Sequence, residues 1–200
     1  MHWLLFFALL AMLPVFGQTN SDALQRLVDG NKRYAQDELL HADHSADRRN
    51  SLVQGQNPFA TIVGCSDSRV PPEAIFDQGV GDLFVVRIAG NVAGPIELDS
   101  IDYSIKVLGA SVILVLGHEA CGAVNAVIEN NAGDIKNVAA LIQPAVKNMT
   151  DLEKAIKANV RYVVANLKKR PLLKGLINDN SLECVGAYYH IQSGEVEILK

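Results

Sequence analysis

Three short runs of the chain carry apolar side chains on both faces of any strand they form. They are residues 61–64, 83–88 and 111–116. A strand with one face in solvent alternates apolar and polar residues, whereas a parallel strand covered by helices on both sides is apolar almost throughout. The runs therefore predict buried strands of a parallel sheet.

Helical patterns separate and follow these strands. A short helix is predicted at residues 72–76 and a longer one at residues 96–108, which places Ile101 and Ile105 on one side. A third, clearly amphipathic pattern runs over residues 152–167 and closes at Arg170-Pro171. Strands that alternate with helices predict an α/β fold.

Both ends of the predicted domain have elements of their own. Ser21 can cap an N-terminal helix with Leu24, Leu27 and Val28 on one face, and residues 41–50 form a polar, exposed stretch after it. Residues 185–191 and 196–199 flank Ser193-Gly194 and predict a C-terminal hairpin. The expected architecture is a central, mostly parallel β-sheet flanked by helices, with an N-terminal helical arm and a C-terminal hairpin.

The first seventeen residues differ from the rest. Residues 3–16 are all apolar or Pro, a run too short to span a membrane comfortably, and small or apolar residues precede a plausible cut at Gly17-Gln18. We predict a cleaved signal peptide at residues 1–17, a single domain at residues 18–200, and a periplasmic or secreted location. Since only His2 stands where Lys or Arg is usual, an uncleaved segment that tethers the chain to a membrane stays open.

The net charge of −4 and the absence of a basic run argue against nucleic acid as a partner. With 49% apolar residues in 200, the chain can bury one sizeable core. A small-molecule substrate is the expected partner.

Cys65 and His118 follow the first and third strands, and Cys121 opens the next helix. The carboxyl ends of parallel strands meet at one edge of the sheet, so these side chains are expected to share a pocket. Two thiolates and an imidazole suit Zn²⁺, and three protein ligands leave a fourth position for water. The alternatives are buried core residues or a Cys65–Cys121 disulfide. Cys184 is expected to be a buried strand residue.

Asp67 and Arg69 stand two residues apart directly after Cys65. This spacing allows a bidentate carboxylate–guanidinium pair, which would fix the orientation of the carboxylate. Held in this way, Asp67 could accept a hydrogen bond from water at the metal rather than become its fourth ligand. A salt bridge that only stabilises the loop is the alternative.

Three segments together resemble one known family. Residues 65–71 (CSDSRVP), residues 82–91 (DLFVVRIAGN) and residues 117–123 (GHEACGA) are similar to the β-class carbonic anhydrases in order and spacing. The resemblance implies one Zn²⁺ per subunit on Cys65, His118 and Cys121. It also implies a homodimer or a dimer of dimers in which N-terminal helices embrace the neighbouring subunit. Once the predicted signal is removed, we expect no stable membrane insertion.

The resemblance also implies a substrate pocket. It assigns catalytic roles to Asp67 and Arg69. Ile62 stands where members with an inhibitory bicarbonate site carry Trp, so the open branch of the family is favoured. The substrate-binding positions are Gln56, Phe84, Ala89, Tyr103 and Gly122.

The implied activity is a zinc lyase reaction, the reversible hydration of CO₂ to bicarbonate and a proton by attack of zinc-bound hydroxide. Two thiolates weaken the Lewis acidity of the metal, so we predict activity that rises on the alkaline side of neutrality. The alternatives are a CS₂ or COS hydrolase on the same fold, and a non-catalytic bicarbonate- or zinc-binding module in which Asp67 closes the site.

Overall fold

The computed structural model describes residues 20–40 and 42–200. The signal peptide predicted at residues 1–17 and His41 of the polar stretch lie outside the described residues. Within the described part of the chain, no helix is both long and apolar enough to cross a membrane.

A five-stranded sheet forms the centre, in the order β2-β1-β3-β4-β5. The first four strands in this order run parallel, and β5 pairs antiparallel with β4. This confirms the predicted parallel sheet and C-terminal hairpin. The strands are β1 (Ala60–Gly64), β2 (Leu83–Arg87), β3 (Val112–His118), β4 (Glu183–Tyr189) and β5 (Val196–Leu199).

Helices cover both faces of the sheet. Every residue of β1 and β3 is buried, as the apolar runs predicted, whereas β2 lies at the edge and is mostly half-buried. The helices are α1 (Asn20–Ala35), α2 (Ala46–Ser51), α3 (Pro72–Ile75), α4 (Pro95–Lys106), α5 (Gly122–Ile128), α6 (Lys136–Val146), α7 (Leu152–Lys169) and α8 (Pro171–Asn178).

The alternation of side chains along β3 divides the core in two. Ile113 and Val115 belong to the larger cluster, which includes the buried face of α7, while Leu114 and Leu116 belong to the smaller cluster. In the smaller cluster, Leu27 of α1 packs on the opposite face of the sheet. Cys65 and Cys121 both belong to the larger cluster.

Several boundaries differ from those expected. The N-terminal helix begins at Asn20, whose Oδ1 accepts a hydrogen bond from the Ser21 N–H, so Ser21 is inside the helix and is not its cap. His118 is the last residue of β3 because the ladder with β4 continues to Tyr189. Helices α2, α6 and α8 were not expected from the sequence.

Candidate metal centre

The strands and one tight turn bring three ligating side chains together. Cys65 directly follows β1, and His118 ends the neighbouring strand β3. Between the end of β3 and the start of α5, the chain turns at Ala120, which has a positive φ of 53°. Cys121 is the N-cap residue of α5, as expected. The predicted meeting of these residues at the carboxyl edge of the sheet is confirmed.

The ligand atoms of Cys65, His118 and Cys121 all lie within 4.8 Å of one another. The three residues are buried, with at most 5% of their surface exposed. Tetrahedral zinc with Zn–S near 2.3 Å and Zn–N near 2.0 Å places its ligand atoms roughly 3.5–3.8 Å apart. The upper limit of 4.8 Å is about 1 Å wider than this, so small side-chain movements would bring the three atoms to zinc-binding distances.

His118 is held in the tautomer that binds a metal. Its Nδ1 lies 2.9 Å from the carbonyl oxygen of Glu119, so Nδ1–H donates and the lone pair of Nε2 faces the cluster. Nε2 is buried and has no hydrogen-bond partner among the described residues. A buried nitrogen lone pair without a donor is costly, and a cation beside two sulfurs removes that cost.

The two sulfurs are free thiols, and so is Cys184, which means that the alternative of a Cys65–Cys121 disulfide is wrong. Two thiols this close cannot both ionise easily without a cation. A hydrogen bond from the Cys121 thiol lowers the pKa of Cys65 to about 4, and the same bond raises the pKa of Cys121. A divalent cation would allow both to ionise, since it compensates two negative charges.

Asp67 and Arg69 form the predicted bidentate pair. Arg69 donates from Nε to Oδ1 at 2.9 Å and from Nη2 to Oδ2 at 2.7 Å. These hydrogen bonds keep the pKa of Asp67 well below its usual range. Asp67 Oδ2 lies 3.9 Å from His118 Nε2, so the carboxylate borders the cluster while both of its oxygens are engaged by Arg69.

Arg87 was missed by the sequence analysis. It donates from Nε to the carbonyl oxygen of Cys65 at 2.8 Å and from Nη2 to that of Asp67 at 2.6 Å. It thereby ties the loop after β1 to the end of β2. A charged residue within the otherwise apolar run of residues 83–88 was the available signal.

Two of the expected pocket residues adjoin the ligands. Gly122 follows Cys121 and is exposed, and Ala89 begins the turn Ala89–Asn91 after β2. Within this turn, the N–H of Gly90 donates to Cys65 Sγ at 3.3 Å. The sequence analysis had not singled out Gly90.

The other three pocket positions lie elsewhere on the chain. The rings of Phe84 and Tyr103 pack with centroids 6.4 Å apart, and Gln56 is exposed in the loop before β1. Phe84 pairs in register with Thr61, four residues before Cys65 and so about 13 Å away along the strands. Their binding roles stay predictions. Cys184 is a buried residue of β4, as expected, and burial raises the pKa of its thiol to about 11.

Known proteins share this arrangement of sequence and fold. The family described as "Carbonic anhydrase" matches residues 60–196. A carbonic anhydrase of Mycolicibacterium smegmatis is 36% identical over 88% of this chain and 91% of its own length, and carbonic anhydrase 2 of Mycobacterium tuberculosis is 38% identical over 86% and 89%.

The solved structure of the β-carbonic anhydrase CcaA superposes with a TM-score of 0.69 at 27% identity, covering 88% of this chain and 95% of that one. The family match spans more than half of the chain and includes all three ligating residues. The chain belongs to the carbonic anhydrase family, in its β class.

Proposed function

We propose that Cys65, His118 and Cys121 hold one zinc ion per chain, at which CO₂ is reversibly hydrated to bicarbonate and a proton. As a β-class carbonic anhydrase, the chain is a zinc-dependent enzyme. The observation that carries the assignment is the unpartnered, buried Nε2 of His118, which faces two free buried thiols. When bound, zinc supplies a Lewis acid that lowers the pKa of a coordinated water toward neutrality.

Asp67 and Gly122 act on the reacting molecules in this proposal. Asp67 stays ionised because Arg69 donates two hydrogen bonds to it, so it can accept a hydrogen bond from the attacking water and orient it. Gly122 is the first residue of α5, and its N–H has no intrahelical acceptor. It can donate to an oxygen of bicarbonate, and the Gln56 amide would do the same from the pocket.

Neither alternative function is favoured. The relatives named above are carbonic anhydrases, which gives no support to hydrolysis of CS₂ or COS. A non-catalytic module would need Asp67 on the metal, yet Arg69 engages both oxygens of that carboxylate. The site is therefore built to stay open.

A homodimer or dimer of dimers completes the proposal, with α4 as a contact in addition to the N-terminal helices. Two apolar residues of this helix and its apolar C-cap residue recur at helical spacing and remain 47–78% exposed. They lie next to β2, the strand at the end of the sheet order, and Phe84 of β2 packs on one of them. Exposed apolar side chains beside a sheet edge fit a second copy. We call Ile96, Tyr103 and Val107 the α4 stripe.

Export is proposed as well, on the sequence alone. The apolar residues 3–16 and the small Gly17 support a cleaved signal peptide and a periplasmic or secreted enzyme. The intact mass of the protein recovered from the soluble envelope fraction tests this. Full-length chain in the membrane fraction would instead support the tethered form.

Metal analysis combined with a CO₂ hydration assay tests the function directly. Cys65→Ser is expected to lose zinc and activity together, because serine replaces a zinc-binding thiolate by a poor ligand. Cys184→Ser is the matched control, since Cys184 is an equally buried thiol outside the cluster. A metal-free wild-type protein with full activity would overturn the proposal.

A further inference from the structure

Asn159 is a fully buried polar residue on the apolar face of α7, between Ile156 and Val160 in the core. Its Nδ2 donates to the carbonyl oxygen of Gly90 at 2.8 Å, and its Oδ1 has no hydrogen-bond partner among the described residues. The opposite amide orientation would set two oxygens against each other. A buried acceptor without a partner is unfavourable, so core packing alone does not account for an amide here.

Gly90 links this amide to the metal centre. It accepts the hydrogen bond from Asn159 through its carbonyl and donates its own N–H to Cys65 Sγ. Its φ of 72° is a left-handed conformation, and a Cβ here would lie 2.7 Å from the Ile142 Cδ1. The next residue, Asn91, also has a positive φ of 47°, a conformation that is strained in a residue other than glycine. A turn of this kind needs outside contacts to keep its orientation.

We infer that Asn159 is a positioning residue of the metal centre, which acts by anchoring Gly90 so that the Gly90 N–H points at Cys65 Sγ. A hydrogen bond to a thiolate stabilises the anionic form that binds the metal and limits its donation of charge. The inference rests on the proposed function, because it assigns Cys65 to zinc. Among the described residues, no other polar side chain donates a hydrogen bond to the Gly90 carbonyl oxygen.

The test compares zinc affinity in three holoenzymes: wild type, Asn159→Leu and Val160→Ala. Leucine fills similar space without a donor, whereas Val160→Ala alters packing of the same helix against Gly117 and leaves Gly90 untouched. Chelator competition is expected to give a zinc Kd about 10–100-fold higher for Asn159→Leu. Val160→Ala is expected to change it by less than about threefold.

Cobalt substitution gives a second readout that a merely structural role would not move. With Co²⁺ in place of zinc, the thiolate-to-metal charge-transfer absorption of Asn159→Leu is expected at lower energy, because the thiolate has lost a hydrogen bond. An unmoved band with wild-type zinc affinity would overturn the inference, as would equal effects in Val160→Ala.

If Asn159→Leu does not fold, Asn159→Ser replaces it, since the serine hydroxyl is too short to reach the Gly90 carbonyl. The zinc Kd and the cobalt charge-transfer band are then measured on Asn159→Ser, with the same expected and contradicting results. Failure of the proposed function is distinct, because the wild-type protein itself would then bind no zinc or hydrate no CO₂.

Discussion

The metal centre and the α4 stripe differ in how much of their surroundings one chain supplies. The three ligands are at most 5% exposed and lie on central strands and a helix N-terminus. The stripe residues are 47–78% exposed. One of them, Tyr103, packs on Phe84, and Phe84 lies about 13 Å from Cys65 along the strand direction. One chain thus supplies all three metal ligands, whereas under the proposed dimer the substrate pocket would be completed by a second copy.

The largest expected effect comes from removing a ligand. His118→Ala should abolish zinc binding and lower CO₂ hydration by at least about 10³-fold, because the Lewis acid is lost. Mixing with an inactive but zinc-loaded variant should not restore its metal, since all three ligands come from one chain. His190→Ala is the control, as its ring pairs with Glu197 outside the cluster. If elemental analysis found stoichiometric zinc in His118→Ala, His118 would not be a required ligand, and the assignment of the metal centre to these three residues would be wrong.

Arg69→Leu probes the border between the metal and the substrate. The variant removes both guanidinium hydrogen bonds to Asp67 and leaves the one that the backbone N–H of residue 69 donates. The carboxylate, whose Oδ2 now lies 3.9 Å from His118 Nε2, can then turn toward the metal site. We expect kcat to fall about 10²-fold, because the carboxylate no longer orients water, while zinc stays bound at least as tightly.

Arg161→Leu provides the control for that experiment, since it removes a guanidinium whose Nε donates to the Lys200 carbonyl oxygen, away from the metal centre. If Arg69→Leu lost zinc in proportion to its activity, the Asp67–Arg69 pair would stabilise metal binding instead of orienting water. Full activity in Arg69→Leu would remove the pair from the mechanism.

The sequence determined more of the metal centre than of its surroundings. Residues 61–64 and 111–116 were recognisable because a parallel strand is apolar on both faces, and strand order then placed Cys65 beside His118. Helix α6 was missed because Pro144 interrupts its pattern. The contact of Asn159 with Gly90 joins residues 69 apart, and only tertiary packing brings them together.

Tyr103→Glu tests the α4 stripe and should produce a smaller loss. A carboxylate at the centre of an apolar contact cannot be desolvated without cost, so we expect monomers that keep their zinc but lose about tenfold in activity. Light scattering combined with metal analysis measures both. Lys106→Glu, a charge reversal on the same helix outside the stripe, should leave the oligomer intact.

Fully active monomers of Tyr103→Glu would show that one chain supplies the whole pocket. The metal centre and the substrate pocket would then not differ in their need for a second copy. An unchanged oligomer would place the contact on another surface. Loss of zinc together with the partner would show that the metal centre is not self-contained.

The smallest expected effect is on thermal stability, in Asp67→Asn, and it separates stability from catalysis. The pKa of Asp67 is depressed in the folded state, so its charge contributes stability above the unfolded pKa near 4, and this contribution is lost as pH falls through the folded pKa. Because the Arg69 side chain is 48% exposed, solvent screens its attraction to Asp67. We therefore expect the Tm of metal-free Asp67→Asn at pH 7 to be about 2 °C or less below that of the metal-free wild type. This difference should shrink below about pH 4. Calorimetry at several pH values measures it. A large loss of Tm near neutrality would mean that the pair holds the loop together, whereas a small one, alongside a large loss of activity, would show that Arg69 serves the orientation of Asp67.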